Sequence, residues 1–102
     1  MEEVRMEGLI DGRLTISLSG DIDLGNAETF YQTITTAYQE NPASITFDCE
    51  KLDFIDSTTL GTFVKILKTL KTDGFDMKLV KLQPKIKKLF LICSLDSIMS
   101  IE

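Results

Sequence analysis

The sequence predicts an α/β fold: one mixed, mostly parallel sheet that opens with an N-terminal hairpin and carries its helices mainly on one face. Three observations predict it. Apolar spacing switches along the chain between strict alternation and a helical period. The strands expected to start at Leu14, Ile45 and Met77 lie 31 and 32 residues apart, and strands separated by helices run parallel through right-handed crossovers. The strands are also apolar on one side only, with Leu14, Ile16 and Leu18 alternating with Thr15, Ser17 and Ser19. A parallel sheet covered on both faces would show near-continuous apolar strands instead.

Element by element, Val4 and Met6 alternate with charged residues, and Asp11-Gly12 supplies a tight turn into the Leu14–Leu18 strand, which reads as a hairpin. Ala27, Phe30, Tyr31, Ile34, Ala37 and Tyr38 then fall at helical spacing, with Asn26 as cap and Asn41-Pro42 as stop. Ile45, Phe47 and Cys49 alternate in a short strand, and Leu52, Phe54 and Ile55 lead towards a second helix. Its apolar stripe is Leu60, Phe63, Val64, Leu67 and Leu70, and Asp73-Gly74 ends it. Met77 to Leu82 is a third core strand. Pro84 at a first helical position opens a third helix with Ile86, Leu89, Phe90 and Cys93 inward, and Ile98 to Ile101 closes as a last short strand.

With 102 residues, 43% hydrophobic and 26% charged, the chain is expected to be one globular domain over 1–102. Histidine and tryptophan are absent, which removes imidazole metal sites and the commonest general base. No Gly-rich strand-to-helix turn binds a dinucleotide or phosphate. Neither catalysis nor a metal or other cofactor is expected. The net charge of −5 argues against nucleic acid, which demands clustered Lys and Arg. That charge is divided unevenly: the first fifty residues carry two basic and ten acidic side chains, the rest nine and six. Cys49 and Cys93 lie in apolar stretches and read as small core residues of a reducing compartment. Leu89 to Cys93, the longest apolar run, is too short to span a bilayer, and the acidic start Met1-Glu2-Glu3 is unlike a signal peptide. A cytoplasmic protein with no membrane partner is expected.

Chemistry concentrates in Phe54-Ile55-Asp56-Ser57-Thr58-Thr59-Leu60-Gly61, at the carboxyl end of the sheet, where open α/β folds place functional groups. On local sequence alone, Asp56 or Ser57 reads as a helix cap. Ser57 is no autonomous nucleophile, because Asp56 is too acidic a base to activate it; if it matters chemically, another protein acts on it.

The run Gly20-Asp21-Ile22-Asp23 followed by Ala27, then Leu52-Asp53-Phe54-Ile55-Asp56-Ser57-Thr58, Leu60-Gly61, and Pro84 with Leu89-Phe90, resembles the STAS domain family. Within it, the chain is similar to the small stand-alone anti-sigma factor antagonists of bacteria, from about residue 8 to the end. The resemblance implies a right-handed strand–helix superhelix. It also implies that Ser57 is phosphorylated by a partner that is both serine kinase and anti-sigma factor, with Thr58 and Thr59 as alternative positions. The unmodified form would bind that partner and release a sigma factor, phosphate would end binding, and a serine phosphatase would reset it. Asp21, Asp23, Asp56, Ser57, Thr58, Thr59 and Gly61 are the implied partner-binding residues, and the free chain is expected to be a monomer.

Two positions depart from the family pattern: Thr59 stands where relatives usually have glycine, which touches partner docking, and Ser94 replaces a common glycine after the third helix, which touches a local turn. Without the resemblance, Asp21 and Asp23 read as a solvated acidic turn or a helix-start cap. Lys85, Lys87 and Lys88 read as a solubilising helix face, and the four methionines as core or terminal packing. A STAS protein with another partner, in a stress-signalling complex or a lipid-transport system, is the alternative function; a small nucleotide-binding domain is the alternative of another class.

Overall fold

In a computed structural model, which describes residues 2–102 with side chains from residue 4 onward, the elements follow the expected order. They are β1 (Glu2–Ile10), β2 (Arg13–Ile22), α1 (Ala27–Glu40), β3 (Ile45–Ile55), α2 (Ser57–Thr72), β4 (Met77–Val80), α3 (Pro84–Ile92) and β5 (Ser100–Ile101). The strands form one sheet in the order β1-β2-β3-β4-β5. β1 runs antiparallel to β2, and every later pair is parallel. The β1–β2 turn has φ of 53° at Asp11 and 77° at Gly12, the two positive values that a tight two-residue hairpin requires.

The alternating strands decide where the helices lie. Leu14, Ile16 and Leu18 of β2, Ile45, Phe47 and Cys49 of β3, and Met77 and Leu79 of β4 are all buried. Their neighbours Thr15, Ser17, Thr46, Asp48 and Lys78 are only half-buried on the other face. All three helices bury their apolar side against the first face, through Phe30 and Ile34 of α1, Phe63, Ile66 and Leu70 of α2, and Ile86 and Phe90 of α3. Phe63 sits at the centre, with ring centroids 5.4 Å from Phe30, 5.3 Å from Phe47 and 5.6 Å from Phe90. These edge-on contacts add to the burial of the rings themselves. At the amino end of the sheet Arg13 ties β2 to β3 and to the residue before β4, reaching Thr46 Oγ1 at 2.8 Å, the Ile45 carbonyl at 3.1 Å and Asp76 at 2.8 Å.

Several expectations need correction. β3 is one continuous strand rather than a short strand and a connection. Its pairing with β2 shifts register at Ser17/Ser19 and Gly20/Asp21, so inward positions move to Leu52 and Ile55 and Phe54 turns out, 48% exposed. Cys93 is exposed rather than in the core, and Leu89 is 37% exposed. α3 stops at Ile92, and Ser94, at φ 58°, swings the chain away before Cys93 can follow Phe90 inward. The last segment begins with a 3₁₀ turn at Leu95–Ser97, so β5 is shorter than expected. Asn26 precedes α1, but its side chain caps no helix N–H.

Candidate functional site

The loop from β2 to α1 and the start of α2 meet at the carboxyl end of the sheet. β2 delivers Asp21 and Asp23 there, and β3 delivers Asp56, because the two strands run parallel and end together at the Ile22–Ile55 pair. Asp56 is extended, with φ −120° and ψ −175°, and caps α2 by accepting the Thr59 N–H at Oδ1, 3.0 Å. Its other oxygen, Oδ2, accepts the Leu24 N–H at 2.9 Å. The Thr59 amide is the main influence holding the Asp56 carboxyl below its ordinary range. Desolvation opposes it, and the Leu24 amide, the Thr59 hydroxyl and the Thr58 amide reinforce it.

The residues of the Asp-Ser-Thr-Thr run separate sharply by direction. Ser57, Thr58 and Gly61 are exposed, and Asp56 is half-buried. Thr59 is 0% exposed; its hydroxyl donates to the Ile22 carbonyl at the end of β2 and lies 3.1 Å from Asp56 Oδ1. This corrects the expectation for Thr59. It faces the core, so it offers neither a hydroxyl for modification nor a side chain for a partner to touch. Helical spacing could have shown this, since Thr59, Phe63, Ile66 and Leu70 fall on one inward stripe.

Asp21 and Asp23 are half-buried. The Asp23 carboxylate accepts the Gly25 N–H at 2.9 Å, and its carbonyl accepts the Ala27 N–H at 2.8 Å, so it shapes the turn into α1. Asn26 closes the same loop from inside, accepting the Asp23 N–H at 2.8 Å and donating to the Asp21 carbonyl at 2.9 Å. Two apolar groups at this end were not among the expected site residues. Leu24 is 75% exposed at the loop tip, and Phe54 stands opposite Asp21 in the register. No periodic pattern marks Leu24, whose loop setting alone leaves it outside the core.

Ser57 lines neither of two concavities on this molecule. A concavity lined by Arg5, Glu7, Ser17, Asp48, Glu50 and Lys51 lies on the uncovered face of the sheet, and another, lined by Lys71, Asp76 and Met99, lies elsewhere. Among the described residues no group of three or more His, Cys, Asp or Glu could hold a metal ion. No helix among them is long and apolar enough to cross a membrane. What the site offers is an exposed hydroxyl at a helix start, next in sequence to the Asp56 carboxylate that also holds the Leu24 backbone.

The family model of the STAS domain matches residues 5–102. The chain belongs to the STAS domain family. The anti-sigma-B factor antagonist of Staphylococcus aureus is 26% identical over 87 residues, covering 85% of this chain and 81% of that protein. The solved structure of the anti-sigma factor antagonist SpoIIAA in its unphosphorylated form superposes with a TM-score of 0.82 at 23% identity, covering 98% of this chain and 88% of that one. The Bacillus cell fate determinant SpoIIAA in its phosphorylated form gives 0.75 at 24% identity, with 98% and 91% covered. These likenesses establish that the five-stranded sheet with helices on one face is a STAS fold.

Proposed function

We propose that this STAS chain is an anti-sigma factor antagonist switched by phosphorylation on Ser57. Unmodified, it binds an anti-sigma factor that is also a serine kinase, and a sigma factor is released. The observation that carries the reading is the exposure of Ser57 at the first position of α2, next to Asp56, which also holds the loop that presents Asp23 and Leu24. Exposed hydroxyls at a helix start, lining neither of the two concavities described, suit a protein partner better than an enclosed small substrate.

The chemistry belongs to the partner. Its ATP passes the γ-phosphoryl group to Ser57 Oγ, the serine proton goes to a base on the kinase, and ADP leaves. The helix start tolerates the product, because the positive end of the helix dipole favours an anion there. Binding does not tolerate it. The modification adds about 1.5 to 2 negative charges at a surface that has just faced the nucleotide's own phosphates. Like-charge juxtaposition in a close contact costs several kcal/mol, about a hundredfold or more in affinity. A serine phosphatase resets the switch, and Thr58 is the alternative acceptor because it too is exposed.

The test is mass spectrometry of wild type and Ser57→Ala after incubation with the cognate kinase and ATP, with partner affinity measured alongside. One phosphate on wild type and none on Ser57→Ala is expected, with Ser57→Ala still bound and Ser57→Asp released. Undiminished phosphate on Ser57→Ala moves the acceptor to Thr58, and unchanged affinity of phosphorylated wild type removes the switch.

A further inference from the structure

We propose that Asp56 is the positioning residue through which phosphate on Ser57 is transmitted to the β2–α1 loop: its carboxylate holds Leu24 in place in the unmodified protein, and the phosphate breaks that hold. The inference rests on the proposed role of Ser57 and adds the means by which the modification alters the partner surface.

One carboxylate joins two elements 32 residues apart in sequence. Oδ1 serves the helix, taking the Thr59 amide at 3.0 Å, while Oδ2 serves the loop, taking the Leu24 amide at 2.9 Å. The loop's other side-chain bonds stay within the β2–α1 segment: Gly25 N–H donates to the Asp23 carboxylate, Asp23 N–H to Asn26 Oδ1, and the Asn26 amide to the carbonyl of Asp21 at the end of β2. They fix its local shape, whereas the Asp56 bond fixes where that shape sits against α2. Upstream, the end of β2 is anchored separately by the Thr59 hydroxyl on the Ile22 carbonyl. Loss of the Leu24 bond therefore frees the loop tip from α2 while the remaining bonds keep the turn and the sheet.

A phosphate on Ser57 acts on that bond directly. It is attached to the residue next to Asp56, repels its carboxylate, and brings three strong acceptor oxygens that compete for the same helix-end N–H groups. Once Asp56 loses those donors and turns away, Leu24 N–H has no acceptor. What the partner then loses is a pinned apolar contact: Leu24 projects with 75% exposure from a backbone already held, the kind of anchor whose ordering cost has been removed in advance.

The experiment places phosphoserine at position 57 during translation, so no kinase is needed, and follows amide hydrogen exchange by NMR in the isolated protein. Wild type and Asp56→Asn are each compared with and without the phosphate. The asparagine keeps one oxygen for the Thr59 amide, but its NH2 group cannot accept from Leu24. Exchange at Leu24 is expected to rise about tenfold or more with phosphate on wild type, and by a similar factor in unmodified Asp56→Asn. Phosphate on Asp56→Asn is expected to add nothing, and the core amides of Leu79 and Ile66 to stay protected throughout. Unchanged Leu24 exchange in phosphorylated wild type overturns the proposal, and this arm decides alone should Asp56→Asn fail to fold. Further acceleration by phosphate in Asp56→Asn also overturns it. Partner release with unchanged Leu24 exchange refutes the coupling and leaves Ser57 as the switch; the expected exchange pattern, with no kinase that modifies Ser57, supports the coupling and removes the switch.

Discussion

Replacing Thr59 by valine removes one hydroxyl and almost no volume, which isolates the bond that ties α2 to the end of β2. Thr59 and Ile22 are both 0% exposed, so water does not replace the lost donor and the Ile22 carbonyl is left without it. A buried acceptor left unpaired costs roughly 1 to 3 kcal/mol, and the loss of the hydroxyl beside the Asp56 carboxylate adds to the same side. We expect Thr59→Val to lower unfolding stability by about 2 kcal/mol, seen as a drop of roughly 10 °C in Tm for a domain of this size. The assay is urea and thermal unfolding followed by circular dichroism, with Thr59→Ser as the companion variant. Serine restores the donor and loses only a methyl group, so it recovers most of the difference. A valine variant within about 0.5 kcal/mol of wild type, the ordinary spread for inert substitutions, would refute the reasoning, as would a serine variant no better than valine.

Three further outcomes follow from features of the fold. The Tyr38 hydroxyl donates to Asp73 at 2.6 Å, and burial, then that bond and the carboxylate charge, push its pKa up from 10.0 to about 12. A raised acid favours the fold below its unfolded value, so stability should fall as pH rises from about 10 to 12; Tyr38→Phe loses that portion of the decline, and identical pH profiles would contradict the assignment. Ellman's reagent should modify Cys93 at once and Cys49 only on unfolding, because Cys49 is buried and its thiol is held near 12 by burial and then by the Asp48 charge; two fast thiols in the native protein would show that the core opens. Ser94→Gly should raise stability by about 1 kcal/mol, since Ser94 sits at φ 58° and a left-handed backbone costs a side chain about that much; a loss on calorimetry would mean that the serine contributes a contact of larger value.

The parts of this fold that were legible in the sequence are those set by local period. Leu14-Ile16-Leu18 and Phe30-Ile34-Tyr38 state their own geometry, and the half-apolar strands put the helices on one face. The missed parts depend on contacts between elements. Cys93 continues the inward spacing of Ile86 and Phe90 on paper, and only the left-handed turn at Ser94 shows that the helix has already ended. Phe54 alternates correctly with Leu52, yet the register shift between β2 and β3 rotates it outward, and such a shift arises from pairing with a distant strand. At the site, the Asp-Ser-Thr-Thr run announced a helix start, but not that Asp56 would reach Leu24.

The strand order β1-β2-β3-β4-β5 has a consequence for how the chain assembles. Every strand lies beside its predecessor in sequence, so no segment has to wait for a later one before it can pair. Each new strand–helix unit closes a loop of similar length, and the entropic cost of closure grows only slowly with length. The chain can therefore add units one after another onto the opening hairpin, as it would emerge during synthesis. The reverse route is equally ordered: β5 has two residues, and α3 buries only Ile86 and Phe90. That last unit should open first under native conditions, at a free energy well below global unfolding.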